Sequence, residues 1–252
     1  MKISVITPSF NQGQFIKETI DSILNSEYDN IEYIVMDGGS TDNTIEILKS
    51  YGDKIIWKSE KDKGQTDAIN KGLKIATGNI ICFLNSDDYY MSDTISYVMK
   101  YFAQNPDVYW LSGDYKIVDE SGNEIQGFVK SYKNFLKKLP LKPTLKVVNY
   151  IIQPSTFWRR EVFESVGEFD ESLNYTMDYD YWLRIIDKYS LHLTDKQLCS
   201  FRIHSLSKGG FDYKNQFKEE LQTCKKYVKN PFLILLHLLH NYLIVGAYKF
   251  IK

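Results

Sequence analysis

Ile80-Ile81-Cys82-Phe83-Leu84-Asn85-Ser86-Asp87-Asp88 runs from five successive apolar residues straight into two adjacent carboxylates. Such a run reads as a strand covered on both faces, the pattern of a parallel sheet flanked by helices. Ligands of open α/β sheets bind in the crevice beyond the carboxyl ends of such strands. Asp87 and Asp88 therefore stand where a divalent cation is held, and oxygen-only ligands favour Mg2+ or Mn2+ over zinc. Taken alone, the same letters also describe a solvated turn ahead of a helix capped at Ser92.

Upstream, strands and helices alternate. Ile3–Thr7 is a strand, and Ile16, Ile20, Ile23 and Leu24 recur at helical spacing. A second strand, Ile31–Met36, ends at Asp37; the tight turn Gly38-Gly39-Ser40-Thr41-Asp42 leads into a helix through Ile45, Leu48 and Tyr51. Ile55–Trp57 is a third short strand, and Ile69, Gly72, Leu73 and Ala76 form a stripe closed by Gly78. This order predicts right-handed βαβ units: an α/β fold with a mostly parallel central sheet and helices on both faces.

Downstream of Asp107 the pattern changes. Val108–Ser112, Tyr115–Val118 and Glu124–Gly127 read as short strands, the last two joined by the turn Glu120-Ser121-Gly122-Asn123, so a small antiparallel region is expected. Lys130, Lys133, Lys137, Lys138, Lys142 and Lys146, with Pro140 and Pro143, describe a mobile or surface-lying excursion. Ser155–Trp158 resumes a strand, Arg160–Val166 is a short helix, and Tyr179–Lys188 is a helix with Trp182, Ile185 and Ile186 on its apolar side.

Composition bounds the chemistry. Lys+Arg 31 against Asp+Glu 32 gives a formal net charge of -1 over 252 residues, so the overall balance asks for no nucleic-acid partner. Polyphosphate binding must then rest on a metal and on local geometry. Cys82, Cys199 and Cys224 are an odd number without paired spacing and read as reduced thiols of a cytoplasmic protein. Met1-Lys2 leads directly into the first strand, too short for a signal-peptide core, and no export is expected.

The loop after the first strand, Thr7-Pro8-Ser9-Phe10-Asn11-Gln12-Gly13, has neither the dinucleotide glycine fingerprint nor a Walker glycine-lysine loop. Its proline, hydroxyls and aromatic ring suit stacking a base. With Asp37-Gly38-Gly39-Ser40-Thr41-Asp42, the run Asp62 to Gly72 (DKGQTDAINKG), Ala76-Thr77-Gly78 leading to Asn85-Ser86-Asp87-Asp88, and Asp178-Tyr179-Asp180-Tyr181-Trp182-Leu183-Arg184, the chain resembles a family 2 glycosyltransferase of the GT-A fold over residues 1 to 210. The resemblance is to the bacterial surface-polysaccharide type.

That resemblance implies a division of labour. Pro8 and Phe10, next to Thr7, line the base pocket, Asp37 recognises the base, and Asp87 and Asp88 contact the ribose and the metal on the diphosphate. Asn85 stands where many relatives carry the first Asp of an Asp-x-Asp motif, and Asp88 is expected as the main Mn2+ or Mg2+ ligand, with Asp87 on the ribose or as a second ligand. Asp178 matches the catalytic base, with Asp180 as its internal competitor and a helix N-cap as the alternative role. Met177 replaces the Glu that often precedes that base. His204 resembles a late motif that approaches the diphosphate or metal. A helix beginning at Gln65 would aim its amides, Gln65 and Asp67 into the nucleotide cleft, and Gln153-Pro154-Ser155 opens the acceptor half.

Residues 1–210 are thus expected to form a catalytic domain, 1–113 its nucleotide-binding half and 114–210 its acceptor half, followed by C-terminal helices in a tail, 211–252. From Pro231 to Ala247 the tail is almost wholly apolar except His237, His240, Asn241 and Tyr242; Lys225, Lys226 and Lys229 precede it and Lys249 and Lys252 follow. It reads as a membrane-surface helix, with a helix buried against the domain as the alternative and His237/His240 as an unlikely metal pair for want of a third ligand. The expectation is a cytoplasmic, metal-dependent, inverting transferase, peripheral on the inner face of the membrane. It would move a sugar from a nucleotide-sugar donor, UDP-linked, to a glycan or lipid-linked glycan acceptor of surface polysaccharide synthesis. A sugar nucleotidyltransferase would need a Gly-rich basic loop that Thr7–Gly13 lacks, and a non-catalytic glycan-binding member of the fold would show no metal or nucleotide affinity.

Overall fold

The computed structural model describes residues 1–205, 207 and 213–251. Strands β1 (Ile3–Ser9), β2 (Ile31–Asp37), β3 (Ile56–Ser59), β4 (Ile80–Phe83), β5 (Tyr89–Tyr90), β6 (Trp110–Val118), β7 (Thr156–Arg159) and β8 (Leu191–Arg202) form an eight-stranded sheet ordered β3-β2-β1-β4-β7-β6-β8-β5. β3, β2, β1 and β4 are mutually parallel, and β7 is antiparallel to both β4 and β6. β8 returns parallel to β6, and β5 pairs antiparallel on its outer edge. The mostly parallel α/β fold expected from the strand and helix order is the one observed.

The apolar run that ends at Leu84 explains why the sheet has two covered faces. Ile81 and Phe83 point into one buried cluster, while Ile80, Cys82 and Leu84 point into the other. Helices α1 (Ile16–Leu24), α2 (Thr44–Ser50), α3 (Gln65–Ile75) and α4 (Thr94–Gln104) follow their strands as read from the sequence. α3 packs closely on β1, since a Cβ placed at Gly72 would lie 2.5 Å from Ile6 Cγ2.

Three expectations are corrected. β6 is one strand rather than two: Gly113, read as a break, is a bulge where the β6/β8 register shifts, and a Cβ there would lie 2.3 Å from Leu198 Cδ1. The hairpin beyond it shrinks to a single bridge between Val118 and Glu124, because Gly127 already starts a helix. The lysine-rich excursion is folded into α5 (Gly127–Leu136) and α6 (Leu141–Leu145), anchored by buried Leu136 and Leu145. Its prolines mislead: Pro140 precedes α6 and Pro143 lies in its first turn, where no backbone donor is needed.

α7 (Arg160–Val166) and α8 (Met177–Ile186) complete the acceptor half, and α9 (Tyr213–Tyr227) and α10 (Pro231–Ile251) close the chain. Cys224 and Val228 are buried in the same cluster as Tyr179 and Trp182, so α9 belongs to that core. The boundary drawn at 210 and 211, and Lys252, lie outside the described residues, as does the side chain of Lys249.

Candidate active site

The carboxyl ends of β1, β2 and β4 converge on one edge of the sheet, and the loops that leave them carry the expected donor residues. Thr7 is buried and its Oγ1 accepts from the Tyr33 hydroxyl at 3.1 Å, while the Phe10 ring is 58% exposed at the cleft. Pro8 is buried within β1. Ser9, at the end of β1, has a buried hydroxyl without a hydrogen-bond partner among the described residues.

Asp37 ends β2 with its carboxylate committed to its own loop. Oδ2 accepts from the amides of Gly39 and Ser40 and from Ser59 Oγ, and Oδ1 accepts from Ser40 Oγ at 2.5 Å. The carboxylate nearest the adjacent Gly38 is Asp62, whose Oδ2 would lie 2.7 Å from a Cβ at that glycine. A glycine here makes room for Asp62 in the base region, a neighbour separated by 24 positions that local sequence does not announce.

Beyond β4, Asn85 is a junction. Its Oδ1 accepts from Gln65 Nε2 at 2.7 Å, and its Nδ2 reaches Asp88 Oδ2 at 3.1 Å and Gln153 Oε1 at 3.4 Å. Gln153 in turn donates to the carbonyl of Phe83. Gln65 thus sits in the cleft at the first residue of α3. Asp67 turns back, accepting from the Lys63 amide at 3.0 Å and pairing with Lys71 at 3.1 Å. The Lys63 amide, outweighing burial, holds its carboxyl below the usual carboxylate range.

Asp87 and Asp88 behave differently. Asp88 is 1% exposed, with Oδ1 accepting from the Arg202 amide at 2.9 Å and Oδ2 from Asn85. Burial, and then the neighbouring Asp87, push its carboxyl well above the usual range. Asp87 keeps a 20% exposed side chain, and its Oδ2 lies 2.9 Å from His204 Nε2. Arg202, which sequence reading passed over, organises both: its guanidinium bonds the carbonyls of Asp87 and Glu120 and pairs with Glu18, between the rings of Phe15 and Tyr89.

On the acceptor side, Asp178 lies in the first turn of α8. Oδ1 accepts from the Tyr179 amide at 2.7 Å, and Asn149 Nδ2 stands 3.5 Å from Oδ2. Burial raises its carboxyl above the usual range. Half-buried Lys133 of α5 and buried Glu220 of α9 share this environment; burial pushes the ammonium down to about 8 and the carboxyl up to about 7. Glu219 fixes the turn ahead of α8, accepting from the amides of Asn174, Tyr175 and Thr176 and from Thr176 Oγ1. Lys133, Glu219 and Glu220 carry no local motif and were not singled out by sequence.

The two sides touch at Thr66, whose hydroxyl donates to Met177 Sδ at 2.9 Å. Gln65 and Asp178 are each one residue away from that contact, at the amino ends of α3 and α8.

The profile of the family described as Glycosyl transferase family 2 matches residues 4–167. An uncharacterised glycosyltransferase of Rickettsia typhi is 32% identical over 205 residues, covering 80% of this chain and 64% of its own, so the chain spans somewhat under two thirds of that relative. The Escherichia coli UDP-Glc:alpha-D-GlcNAc-diphosphoundecaprenol beta-1,3-glucosyltransferase WfgD is 27% identical over 252 residues, covering 98% of this chain and 94% of its own. Among solved structures, a Pyrobaculum calidifontis mannosyltransferase in complex with GDP-Man and Mn2+ superposes with a TM-score of 0.71 at 20% identity, over 94% of this chain and 68% of its own. The fold is that of the GT-A glycosyltransferases, and the chain belongs to glycosyl transferase family 2.

Proposed function

We propose that this glycosyltransferase inverts the anomeric centre of a UDP-linked sugar as it transfers it to a lipid-linked glycan at the cytoplasmic face of a membrane. The contact between Thr66 and Met177 supports the reading most, because it joins the amino end of α3 to that of α8, which carries Asp178. Residues 1–113 supply the donor side and α8 the base. The name of the Escherichia coli relative, a UDP-Glc-dependent transferase acting on a diphosphoundecaprenol-linked sugar, supports the choice of donor and acceptor classes.

Asp178 takes the proton of the acceptor hydroxyl while that oxygen forms its bond to the anomeric carbon and the bond to the diphosphate oxygen breaks. Asp180 is excluded from this role by its buried pairing with Arg184 and Lys226. Asn85 and Gln65 hold the wall of the cleft between base and diphosphate.

The residues present fit a divalent cation. Asp87 Oδ2 and His204 Nε2 meet at 2.9 Å at the cleft edge, whereas both oxygens of Asp88 are engaged. Among the described residues no group of three or more His, Cys, Asp or Glu side chains forms a closed metal cage. Few protein ligands suit Mg2+ or Mn2+, which bind through one or two carboxylates and substrate phosphates. Held by Asp87 and His204, the ion would neutralise charge developing on the leaving diphosphate.

The test is a thermal-shift series of UDP-sugars with and without Mn2+, followed by transfer to a lipid-linked acceptor and assignment of the product anomer. A ligand at about 100 times its Kd stabilises the protein by about 2.7 kcal/mol. Retention of configuration, or absence of any UDP-sugar shift, overturns the proposal.

A further inference from the structure

α10 is amphipathic in the reverse sense: polar side chains face the protein and apolar ones face out. His237 is fully buried, with Nδ1 2.8 Å from the Val147 carbonyl oxygen, and buried Asn241 reaches His237 Nε2 at 3.0 Å. On the opposite side, Phe232, Leu235, Leu239, Tyr242 and Leu243 are between 50% and 79% exposed. The apolar face is therefore what solvent meets.

α5 repeats the arrangement. Phe128 and Phe135 are 81% and 58% exposed, and Tyr132 lies at the rim of their stripe by helical spacing. Tyr132 stacks on His240 of α10, with ring centroids 5.9 Å apart and planes 9° from parallel. That stack joins the two apolar strips side by side. The inner flank of α5 presents Lys133 to Asp178, so the joined surface borders the acceptor side of the cleft.

Charge identifies the partner. The chain as a whole is nearly neutral, yet residues 125–160 and 221–252, which supply this surface, contain no Asp or Glu. Lys130, Lys142, Lys146 and Lys226 pair with carboxylates elsewhere in the protein, whereas Lys138, three residues past Phe135, Lys229, two before α10, and Lys225 on α9 are exposed. A second copy in a twofold arrangement would set this basic patch against itself. An anionic lipid surface offers the opposite charge together with an apolar interior. No described helix is long and apolar enough to cross a membrane, which leaves docking in the interface plane for α10.

We propose that α5 and α10 form one docking surface for a bilayer containing anionic lipids, placing Asp178 beside a membrane-borne acceptor. The place in the reaction rests on the lipid-linked acceptor proposed above; the surface itself does not. The test is co-sedimentation of the full chain with vesicles of equal parts phosphatidylglycerol and phosphatidylcholine, against phosphatidylcholine alone. Phe128→Ser with Phe135→Ser, Leu235→Ser with Leu239→Ser, and Lys138→Glu with Lys225→Glu and Lys229→Glu should each weaken partitioning about tenfold or more while leaving the UDP-sugar thermal shift unchanged. Absence of wild-type binding overturns the proposal. So does full binding by the α5 variant, or a dimer in light scattering that the apolar substitutions dissociate. Vesicle binding by a protein that shows no UDP-sugar shift would keep the surface and remove the donor reading.

Discussion

Asp178 and Asp180 lie two residues apart at the start of α8, yet only Asp180 forms ion pairs, with Arg184 and Lys226. Asp180 is 1% exposed and accepts from Arg184 at 2.9 Å, Lys226 at 3.1 Å and the Tyr227 hydroxyl at 2.7 Å. Asp178→Asn should lower the transfer rate by roughly 10²- to 10⁴-fold with an unchanged UDP-sugar shift, as an amide keeps the shape and cannot take the proton. Because burial raises the Asp178 carboxyl and the base must be ionised, the acid limb of the rate profile should lie above the ordinary carboxylate range. Asp180→Ala should instead cost stability, about 1 to 3 kcal/mol for each buried donor left unsatisfied, because Arg184 Nε and the Tyr227 hydroxyl lose their acceptor while Lys226 keeps Asp170. Normal turnover by the Asp178 variant would remove it as the base.

Asp87→Asn and His204→Ala should each abolish the Mn2+-dependent part of UDP-sugar binding; the His204 variant should also melt lower, because its buried ring packs on Phe15, while Asp87→Asn should leave the melting temperature near wild type. Asp88→Ala should do the reverse in the first instance, because the Arg202 amide and Asn85 lose their acceptor, at about 1 to 3 kcal/mol for each donor left unsatisfied. A stable Asp88 variant that had lost Mn2+ dependence would restore Asp88 to the primary place that sequence reading assigned it.

The donor side was legible because its signals are local. The five apolar residues before Asn85 announce a doubly covered strand, and the loops after β1 and β2 end at the same edge of the sheet once the strands pair in parallel. What sequence missed acts across long separations. Arg202 reaches the carbonyl of Asp87 over 115 positions, and Glu219 holds Thr176 over 43. Neither has a periodic or motif signature, since its partner is brought to it only by the completed sheet and by the packing of α9. For the tail, hydropathy located α10, but only tertiary contact decides which stripe faces inward.

Glu32 offers a check on the fold away from the cleft. Its carboxylate accepts from Lys2 Nζ, Ser4 Oγ, the Thr77 amide and Thr77 Oγ1, tying β2 to β1 and to the turn before β4. Burial opposes ionisation, but these donors outweigh it and hold the carboxyl at about 2. A depressed folded-state pKa contributes stability above the unfolded value, and that contribution is lost as pH falls toward 2. Glu32→Gln should therefore lower the melting temperature at pH 7 and narrow its distance from wild type on acidification. Parallel curves for the two proteins would contradict the assignment.

Glu220 should show the opposite sign. It is 7% exposed, faces Lys133 from α5 and Asp178 from α8, and accepts from the Asn149 amide. Burial pushes its carboxyl from the model-peptide value of 4.5 up to about 7. The folded state thus binds this proton more tightly than the unfolded chain, so the associated stability is full below about 4.5 and lost as pH rises through about 7. The loss is on the order of 3 kcal/mol, attraction to the Lys133 ammonium included. Glu220→Gln should match wild type near pH 5 and melt higher than wild type near pH 8. Glu220 stays protonated while Asp178 ionises, so the same substitution should leave the acid limb of the transfer profile where it is. Melting curves that keep a constant separation across this range would show that Glu220 does not titrate there and would contradict its raised carboxyl.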